Sequence, residues 1–397
     1  MTTERPTLGS QSSLREANRG RILDAIKRFG ALTQVEIADA AGLSTATVSN
    51  IVKELTANGV VTTSPVSRSG RRALQVSLAR RLGLVAGVHF ASRTLRIELS
   101  DLVGTVIAQQ HMPLPADHRA DTGMDRAALL IADLLESIGA SHEELRGVGL
   151  GIAAPVDHRD GSLPVHGIQR GWDEVQIAPS MARRLDTPVF VDNDANLAAL
   201  AERRFGAAQG ADVAAYVYVG HGVGAGLVID GQIFRGAAGT AGEIGHIRVV
   251  DSGAICHCGN RGCLETVVNA NALVESLRAT HGNLSLRDVV NQCLAGDAGC
   301  SRVVADAGLF VGVAVAALAN VINPRVVVIG GELARCGDLL LDPIRNEAGR
   351  AVLRNPASPL RIVQAALGDL APVRGATALA LDSVSLTADI TEVSYAN

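Results

Sequence analysis

The chain has 397 residues, 47% of them hydrophobic and only 3% aromatic, with 42 glycines, a composition that indicates a globular protein and excludes a disordered one. This length is enough for two or three domains, and no uninterrupted apolar run is long enough to predict a membrane span. The formal net charge of −4 is unevenly spread, since residues 1–80 hold 11 Lys and Arg against 6 Asp and Glu, whereas residues 81–397 hold 25 against 34. A basic head on an acidic body indicates that only the head binds a polyanion.

The N-terminal region is predicted to begin with a tail and to continue as two helices. Residues 1–13 are polar and short, which favours a flexible tail over a targeting sequence and indicates a cytoplasmic protein. Apolar residues at helical spacing predict a helix over residues 18–29, with four inward positions, Ile22, Leu23, Ile26 and Phe29. A second helix is predicted over about residues 33–40, and Gly42 ends it.

A third helix follows, with Ser44 as its predicted N-cap. Its apolar residues recur at a spacing that buries one face: Val48, Ile51, Val52 and Leu55. Its opposite face carries polar residues: Thr45, Thr47, Ser49, Asn50 and Lys53. Two helices joined by a tight glycine turn, with small polar residues at the start of the second, predict a helix-turn-helix. The hydroxyls and the amide of this recognition helix are expected to contact base edges or phosphates in the major groove of double-stranded DNA.

A basic hairpin is predicted after the recognition helix. Two β-like runs, residues 60–63 and 74–78, flank the segment Arg68-Ser69-Gly70-Arg71-Arg72. We interpret them as a wing whose tip contacts phosphates or the minor groove through its three arginines, Arg68, Arg71 and Arg72. The alternative is an ordinary three-helix bundle with a solvated arginine turn. The basic charge favours the first interpretation, so residues 14–80 are assigned to a winged helix-turn-helix DNA-binding domain.

Residues 81–397 are predicted to form two related α/β halves, because strand and helix patterns alternate throughout. The first half contains a predicted three-strand meander, then a helix, a strand, a helix and a strand, at residues 84–90, 95–99, 103–109, 126–138, 147–152, 177–185 and 189–191. The second half contains predicted strands at residues 214–219, 224–229, 232–235, 326–329 and 360–365, and helices at 270–279, 286–294, 301–322 and 375–383. Strand tips that end in Gly or Asp are where such folds place ligands.

Three of the six cysteines fall within eight residues, in Cys256-His257-Cys258-Gly259-Asn260-Arg261-Gly262-Cys263, and His246 precedes them. Thiolates and an imidazole at this spacing predict a closed tetrahedral zinc site, in which four protein ligands leave no position for a catalytic water. A disulfide or a group of small buried thiols is the alternative, but disulfides are rare in the cytosol. The other cysteines, Cys293, Cys300 and Cys336, are expected to be buried.

Two glutamates flank the cysteine cluster, Glu243 before it and Glu265 after it. An ion that ties these segments together would fix two carboxylates and an imidazole in one small region. Ionised acceptors make strong hydrogen bonds to hydroxyls, so this arrangement suits a polyhydroxylated ligand. The alternative is that both glutamates are solvated surface groups.

The body resembles the ROK family (repressors, open reading frames and sugar kinases), whose fold is the two-lobed actin-like ATPase type. The marks of this resemblance are residues 192–202, the loop Gly222-Val223-Gly224-Ala225-Gly226, and residues 243–246 with the cysteine cluster and Glu265. Together with the winged helix-turn-helix, the resemblance covers about residues 14–383. The zinc motif with its flanking glutamates is its most specific part.

The resemblance implies roles for individual residues. Structural Zn²⁺ would be held by His246, Cys256, Cys258 and Cys263. Sugar hydroxyls would contact Asn193, Asp194, Glu243, His246 and Glu265. In the family's kinases, the residue that matches Asp194 is the general base that takes the proton from the attacking sugar hydroxyl. Gly330 and Gly331 match the loop near adenosine.

The chain departs from the kinase pattern in both phosphate loops. Where a family kinase has Asp-x-Gly-Gly-Thr, the segment here is His89-Phe90-Ala91-Ser92-Arg93-Thr94, without the carboxylate and without the glycines that let backbone amides approach phosphates. His221 replaces the usual Thr of the second loop. These changes predict that phosphoryl transfer is lost and that Asp194 is a vestigial base, although Arg93 could still bind a phosphorylated ligand by charge.

The sugar loop also departs from the family pattern. Where the family has Asn-Leu-x-Gly-Trp, this chain has Ile168-Gln169-Arg170-Gly171-Trp172, so one amide contact to a sugar hydroxyl is expected to be absent. The favoured hypothesis is a transcriptional regulator, a repressor, that binds an operator as a homodimer or homotetramer and responds to a sugar or sugar derivative. An active ATP-dependent sugar kinase with an appended DNA-binding head is one alternative. A regulator controlled by a protein partner is the other.

Overall fold

The computed structural model describes residues 11–68, 71–91, 93–115, 118–165, 171–172, 174–353 and 359–384. These residues form a winged-helix head and two α/β lobes, and each of the three has its own β-sheet. The strand order is β1-β3-β2 in the head, β6-β5-β4-β7-β8 in the first lobe and β11-β10-β9-β12-β13 in the second. The predicted class, a winged helix followed by a two-lobed α/β body, is confirmed, while the predicted domain boundaries stay predictions.

The head has three helices and a three-stranded sheet, α1 (Gln11–Phe29), β1 (Leu32–Thr33), α2 (Gln34–Ala41), α3 (Thr45–Ala57), β2 (Val61–Arg68) and β3 (Arg71–Leu78). Helix α1 begins seven residues earlier than predicted, where Arg15 and Arg19 both bind the carboxylate of Glu54 in α3. Gly42 ends α2 in the left-handed region with φ 63°. Phe29 is 57% exposed, contrary to prediction, and the guanidinium of Arg28 lies over its ring.

The first lobe contains β4 (Leu84–Phe90), β5 (Thr94–Asp101), β6 (Val106–Pro113), α4 (Ala120–Ser137), β7 (Leu145–Ile152), α5 (Ile177–Leu185), β8 (Val189–Asn193) and α6 (Asp194–Phe205). The third strand of the meander begins at Val106 instead of residue 103. Its start is displaced by a turn in which Asp101 Oδ1 accepts hydrogen bonds from the amides of Val103 and Thr105 and Gly104 has φ 88°.

The second lobe contains β9 (Ala214–Val219), β10 (Val223–Ile229), β11 (Gln232–Ile233), α7 (Glu265–Val268), α8 (Ala270–His281), α9 (Leu286–Leu294), α10 (Ala298–Ile322), β12 (Val326–Gly330), α11 (Asp338–Ala351) and β13 (Arg361–Gln364), and α12 (Ala371–Ser383) follows it in the chain. Helix α10 is long and apolar enough, by length and composition alone, to cross a membrane. Half of its apolar window is buried, and its inner face packs in the core of this lobe.

Helix α12 leaves the second lobe and packs on the sheet of the first, beside α6. The approach is backbone to backbone, because a Cβ added at Gly375 would lie 1.9 Å from the carbonyl oxygen of Leu197. Arg374 fixes the helix further, since its guanidinium donates to the buried carboxylate of Glu98 and stacks 4.3 Å from the ring centroid of Phe205. A contiguous apolar cluster then joins the head to α12 and to the first sheet, with members Ile22, Leu23, Ile26, Val85, Leu102, Ala380 and Leu381.

Candidate functional site

The predicted metal ligands converge. One ligand atom from each of His246, Cys256, Cys258 and Cys263 lies within 4.8 Å of the others. Gly262, at φ 75°, lets the chain turn here, and a Cβ at this position would lie 1.7 Å from the carbonyl oxygen of Val250. A disulfide is contradicted, because all three cysteines are free and the sulfurs of Cys258 and Cys263 lie 3.8 Å apart, well beyond a bond of about 2.05 Å.

The donor set fits a zinc ion. Three sulfurs and one imidazole supply the four ligands of a closed structural site. Burial raises the pKa of the Cys263 thiol to about 12, so a bound cation is what would hold this sulfur as a thiolate at neutral pH. A second possible set of metal ligands shares His246 and consists of His246, His257 and Glu265, whose ligand atoms also lie within 4.8 Å of one another. The sequence interpretation did not assign a role to His257.

Two of the predicted sugar-binding residues lie where β8 meets α6. Asn193 is the N-cap of α6, and its Oδ1 accepts hydrogen bonds from the amides of Ala195 and Asn196, 2.9 and 3.3 Å away. Its Nδ2 donates to the carbonyl oxygen of Ala154. Asn193 therefore shapes the site through the backbone as well as offering an amide to a ligand. Asp194 is the first residue of α6, and Nε2 of His89 lies 3.7 Å from its Oδ2.

The other three predicted sugar-binding residues come from the second lobe. The Nε2 atom of His246 lies 3.9 Å from a carboxylate oxygen of Glu243, and its Nδ1 lies 3.9 Å from Glu265. Burial, and after it the neighbouring negative charges of Glu265 and Asp194, together raise the pKa of Glu243 to about 7. Asp194, Glu243 and Glu265 thus form one carboxylate cluster between α6 and the cysteine loop. Such a cluster offers several acceptors to the hydroxyls of one ligand.

Asp192 is a buried residue that positions its neighbours in the site. It belongs to the family motif at residues 192–202, but the sequence predicted no role for it. Its carboxylate is 2% exposed and accepts hydrogen bonds from Arg235 of the second lobe, 2.7 to 2.8 Å away. It also accepts from the side chain of Asn196 and from the backbone amide of Asn193. The Asp192–Arg235 pair therefore ties the N-terminus of α6 to the strand β11 region. The two residues lie too far apart in the sequence for a local motif to predict this pair.

The two altered phosphate loops carry His221, which pairs with a carboxylate, and Arg93, which is exposed. Nδ1 of His221 lies 3.1 Å from Oε2 of Glu332, and that carboxylate raises the pKa of the imidazole. The side chain of Arg93 is exposed, and its positive charge acts on His221 in the opposite direction. Ser92 lies outside the described residues, as do residues 166–170 of the sugar loop, whereas Trp172 is buried against the ring of Phe90.

Gly330 and Gly331 line a cavity of about 250 Å³ with the segment that follows β13. A Cβ at Gly330 would lie 2.0 Å from the hydroxyl of Tyr216, and Gly331 has φ 89°. Packing and backbone conformation therefore require both glycines, whether or not a nucleotide binds. A larger cavity of about 700 Å³ lies between α10, α11 and β13 and contains none of the candidate site residues.

The recognition helix α3 has the predicted amphipathic form. Ser44 caps it, with its Oγ accepting from the amide of Thr47 at 3.1 Å, and the four predicted core residues of its inner face are buried. Among the polar residues Thr45, Asn50 and Lys53 are exposed, while Thr47 and Ser49 are half-buried. In the wing, the strand register pairs Arg68 with Arg71 and Ser67 with Arg72, so the three predicted arginines fall at its tip.

Helix α6 connects this head to the carboxylate cluster. Its N-terminus carries Asp194, and in its last turn Arg204 donates a hydrogen bond of 2.6 Å to the carbonyl oxygen of Lys27 in α1. Arg204 also binds Asp382 at the end of α12, at 2.7 Å. The ammonium of Lys27, itself buried, donates to the carbonyl oxygen of Val384. The 12 residues of α6 span roughly 18 Å at 1.5 Å per residue, which is the reach between the two regions.

Comparison with known proteins covers nearly the whole chain. The ROK family model matches residues 85–383, and a MarR family model matches residues 16–72. The DNA-binding transcriptional dual regulator NagC of Escherichia coli (strain K12) is 30% identical over 376 residues, which are 91% of each protein. The xylose repressor of Bacillus subtilis (strain 168) is 26% identical over 377 residues, 94% of this chain and 97% of its own length.

Solved structures agree with these matches. A ROK family transcriptional regulator described as a homologue of the Escherichia coli Mlc protein superposes with a TM-score of 0.77 at 24% identity, covering 96% of this chain and 99% of its own. A ROK family glucokinase from Streptomyces griseus, in complex with glucose and AMPPNP, superposes with a TM-score of 0.67 at 29% identity, covering 76% of this chain and all of its own. Because the family model spans both lobes and a 30% identical relative spans the head as well, this chain belongs to the ROK family.

Proposed function

We propose that the chain is a cytoplasmic transcriptional repressor whose binding to an operator is controlled by a sugar or sugar derivative held in the body. The observation that carries this proposal is α6, a single helix that begins at the carboxylate cluster and ends in hydrogen-bonded contact with the head. The names of the relatives, a xylose repressor and the regulator NagC, point in the same direction.

The proposed DNA contacts come from α3 and the wing. Exposed Thr45, Asn50 and Lys53 face away from the buried side of α3, with Thr47 and Ser49 beside them. Side chains at the start of such a helix read base edges in the major groove, and the arginines of the wing, Arg68, Arg71 and Arg72, bind phosphates or the minor groove.

The proposed sugar site consists of Asn193, Asp194, Glu243, His246 and Glu265. Two observations support this site. These side chains lie close together, and their carboxylates offer several hydrogen-bond acceptors, which suits a ligand with several hydroxyls. A ligand that binds one arrangement of α6 more tightly than another shifts the equilibrium between them. The end of α6 that holds Arg204 would carry this shift to α1 and so to α3.

A structural zinc ion is proposed at His246, Cys256, Cys258 and Cys263. When bound, the ion supplies a rigid four-ligand brace and no open coordination position. The ion would fix the position of His246, and His246 lies close to Glu243 and Glu265, so the three side chains would be held together to bind the ligand. The second ligand set, with His257, is the alternative for this region.

A homodimer is the proposed assembly, with a homotetramer as the alternative. The outer face of α10 exposes apolar side chains at i, i+4 and i+12, namely Leu309, Val313 and Val321. An apolar stripe on a helix of 25 residues suits pairing with the same helix of a second copy. Two heads related by such symmetry would read half-sites about 10–10.5 base pairs apart, or a multiple of that spacing.

Phosphoryl transfer is not part of the proposed function, although Asp194 is retained. His89 near the end of β4 stands in place of a carboxylate, and the turn to β5 carries Arg93 and lacks the glycines. His221 of the β9–β10 turn is engaged with Glu332. An active sugar kinase and a regulator controlled by a protein partner remain the competing functions. The kinase is favoured by Asp194, by the cavity beside Gly330 and Gly331, and by the superposition of the body on a ROK family glucokinase.

The test is fluorescence anisotropy of the full chain on labelled DNA from directly upstream of its own gene, titrated with a panel of sugars and sugar phosphates. We expect salt-sensitive binding that one compound releases. Glu265→Ala should keep DNA binding and lose the sugar-dependent release, whereas Glu275→Ala, an exposed control, should retain both.

Two outcomes would favour the competing functions. DNA binding that no sugar in the panel releases, but that a protein from cell extract does release, would support control by a protein partner. Sugar-dependent release of ADP from ATP that is lost in Asp194→Asn would overturn the non-enzymatic reading.

A further inference from the structure

His89 is buried beside the base position with its polar atoms unused. It is the sixth residue of β4, and its side chain is only 8% exposed. Neither of its ring nitrogens makes a hydrogen bond to any residue that the structure describes. Buried polar groups in proteins are nearly always hydrogen-bonded, so an imidazole in this state indicates a missing partner.

The position of Asp194 indicates what that partner is. Its Oδ2 lies 3.7 Å from Nε2 of His89, which is too far for a direct hydrogen bond. One hydroxyl oxygen about 2.8 Å from both atoms can bridge them, because it accepts from the imidazole N–H and donates its own proton to the carboxylate. With the proton on Nε2, the bridging group must both accept and donate, and a sugar hydroxyl does so.

The surrounding charges disfavour a phosphate at this point. Asp194, Glu243 and Glu265 bring three carboxylates to the region. Of the basic groups in the two phosphate loops, His221 is engaged by the carboxylate of Glu332 and Arg93 is exposed. An ester dianion would therefore face more negative than positive charge, and it would have no proton to donate to Asp194.

We propose that His89 and Asp194 together hold one free hydroxyl of the effector, so that the body binds an unphosphorylated sugar and rejects the sugar phosphorylated at that hydroxyl. His89 is then a specificity-determining residue, and its imidazole binds a hydroxyl at the position where the family's kinases have a carboxylate. This inference rests on the proposed function, because it concerns the ligand of the same site.

Isothermal titration calorimetry of the full chain tests the proposal with xylose, glucose and N-acetylglucosamine, their monodeoxy derivatives and their monophosphate esters. The variants are His89→Ala, His89→Gln, which keeps a donor near Nε2, and His111→Ala, an exposed histidine of the first sheet, as the matched control. For the sugar that binds, we expect His89→Ala to weaken binding at least about tenfold, His89→Gln to recover part of the loss and His111→Ala to have no effect.

A comparison with ligand analogues separates a hydroxyl contact from a merely structural role. One monodeoxy derivative should bind the wild-type protein at least about tenfold more weakly than its parent sugar and should bind wild type and His89→Ala equally, because the contact is already gone. The wild-type measurement holds even where a variant does not fold. Tighter binding of an ester than of its free sugar, or sugar binding that His89 variants leave unchanged, would overturn this inference alone. A wild-type protein that binds no sugar would overturn the proposed sugar control as well.

Discussion

Arg204 and Lys27 join the body to the head through a hydrogen bond of 2.6 Å from the guanidinium to a backbone carbonyl. Arg204 lies at the end of α6, and its other contact, with Asp382, gathers the end of α12 into the same junction. Both side chains are largely buried, so the junction is not a loose surface contact. The head therefore cannot change its orientation relative to α6 without breaking the charge-assisted hydrogen bond between Arg204 and Lys27.

The first prediction is that Arg204→Ala uncouples the ligand from the DNA. The variant keeps the carboxylate cluster at the far end of α6, so its sugar affinity should stay within about twofold of wild type. Its release from DNA by the sugar should fall strongly, because the hydrogen bond that links Arg204 of α6 to α1 is gone. Anisotropy and calorimetry on one preparation measure the two quantities.

Arg350→Ala is the matched control for Arg204→Ala, since this arginine is exposed and contacts only Glu347 among the described residues. It should leave both sugar binding and release unchanged. Normal release by Arg204→Ala would show that α6 does not carry the signal to the head.

The second prediction separates two kinds of DNA contact in α3. Lys53→Ala should weaken binding to all sequences alike and reduce the slope of log K against log salt by about one, because one phosphate contact is lost. Asn50→Ala should instead cost about 1–3 kcal/mol on the operator alone and relax preference at one base pair. Anisotropy on operator and random duplexes at several salt concentrations distinguishes these patterns, and equal effects of the two variants on both duplexes would contradict the assigned roles.

Much of the head and of the metal site could be predicted because their signals are local. The apolar spacing in α3, the cap at Ser44 and the glycine turn at Gly42 all act within about a dozen residues, and the structure has all three. The cysteine cluster is also local, and only His246 must be brought to it across a turn. His257 was missed because its neighbours in the cluster suggested a complete ligand set without it.

What could not be predicted depends on residues far apart in the chain. Helix α11 was not predicted, since Pro343 interrupts its pattern, yet burial of Leu340, Leu341 and Ile344 stabilises it. The return of α12 onto the first lobe and the approach of His89 to Asp194 join segments about 100 or more residues apart. The spacing of apolar residues in the sequence does not predict such contacts, because they depend on how the sheets and helices pack together.

The third prediction concerns the metal. Purified protein should contain one equivalent of zinc per chain, and Cys258→Ser should lose it and unfold at a lower temperature, since structural zinc contributes directly to folding. His257→Ala should keep the metal if the four-ligand set with three cysteines is correct. Elemental analysis and thermal melts with and without chelator provide the measurements. Full metal content in Cys258→Ser together with loss in His257→Ala would favour the second ligand set.

The fourth prediction concerns assembly. Val313→Glu places a charge in the exposed apolar stripe of α10 and should convert the proposed dimer to a monomer. Leu129→Glu, at a more exposed apolar position on α4, is the control and should not change the mass. Light scattering after size-exclusion chromatography measures the mass directly. A Val313→Glu protein with the mass of wild type would move the interface elsewhere.

The fifth prediction is a pH dependence at the β9–β10 turn. The carboxylate of Glu332 raises the folded-state pKa of His221 above its ordinary value of 6.5. A raised histidine pKa stabilises the folded state below the unfolded pKa, and this contribution disappears as the pH rises through the folded pKa. Wild type should therefore exceed Glu332→Gln in Tm most clearly below pH 6.5, and the difference should fade above it. Because His221 is about half exposed, added salt should shrink the difference, and a difference that grows with rising pH would contradict the ion pair.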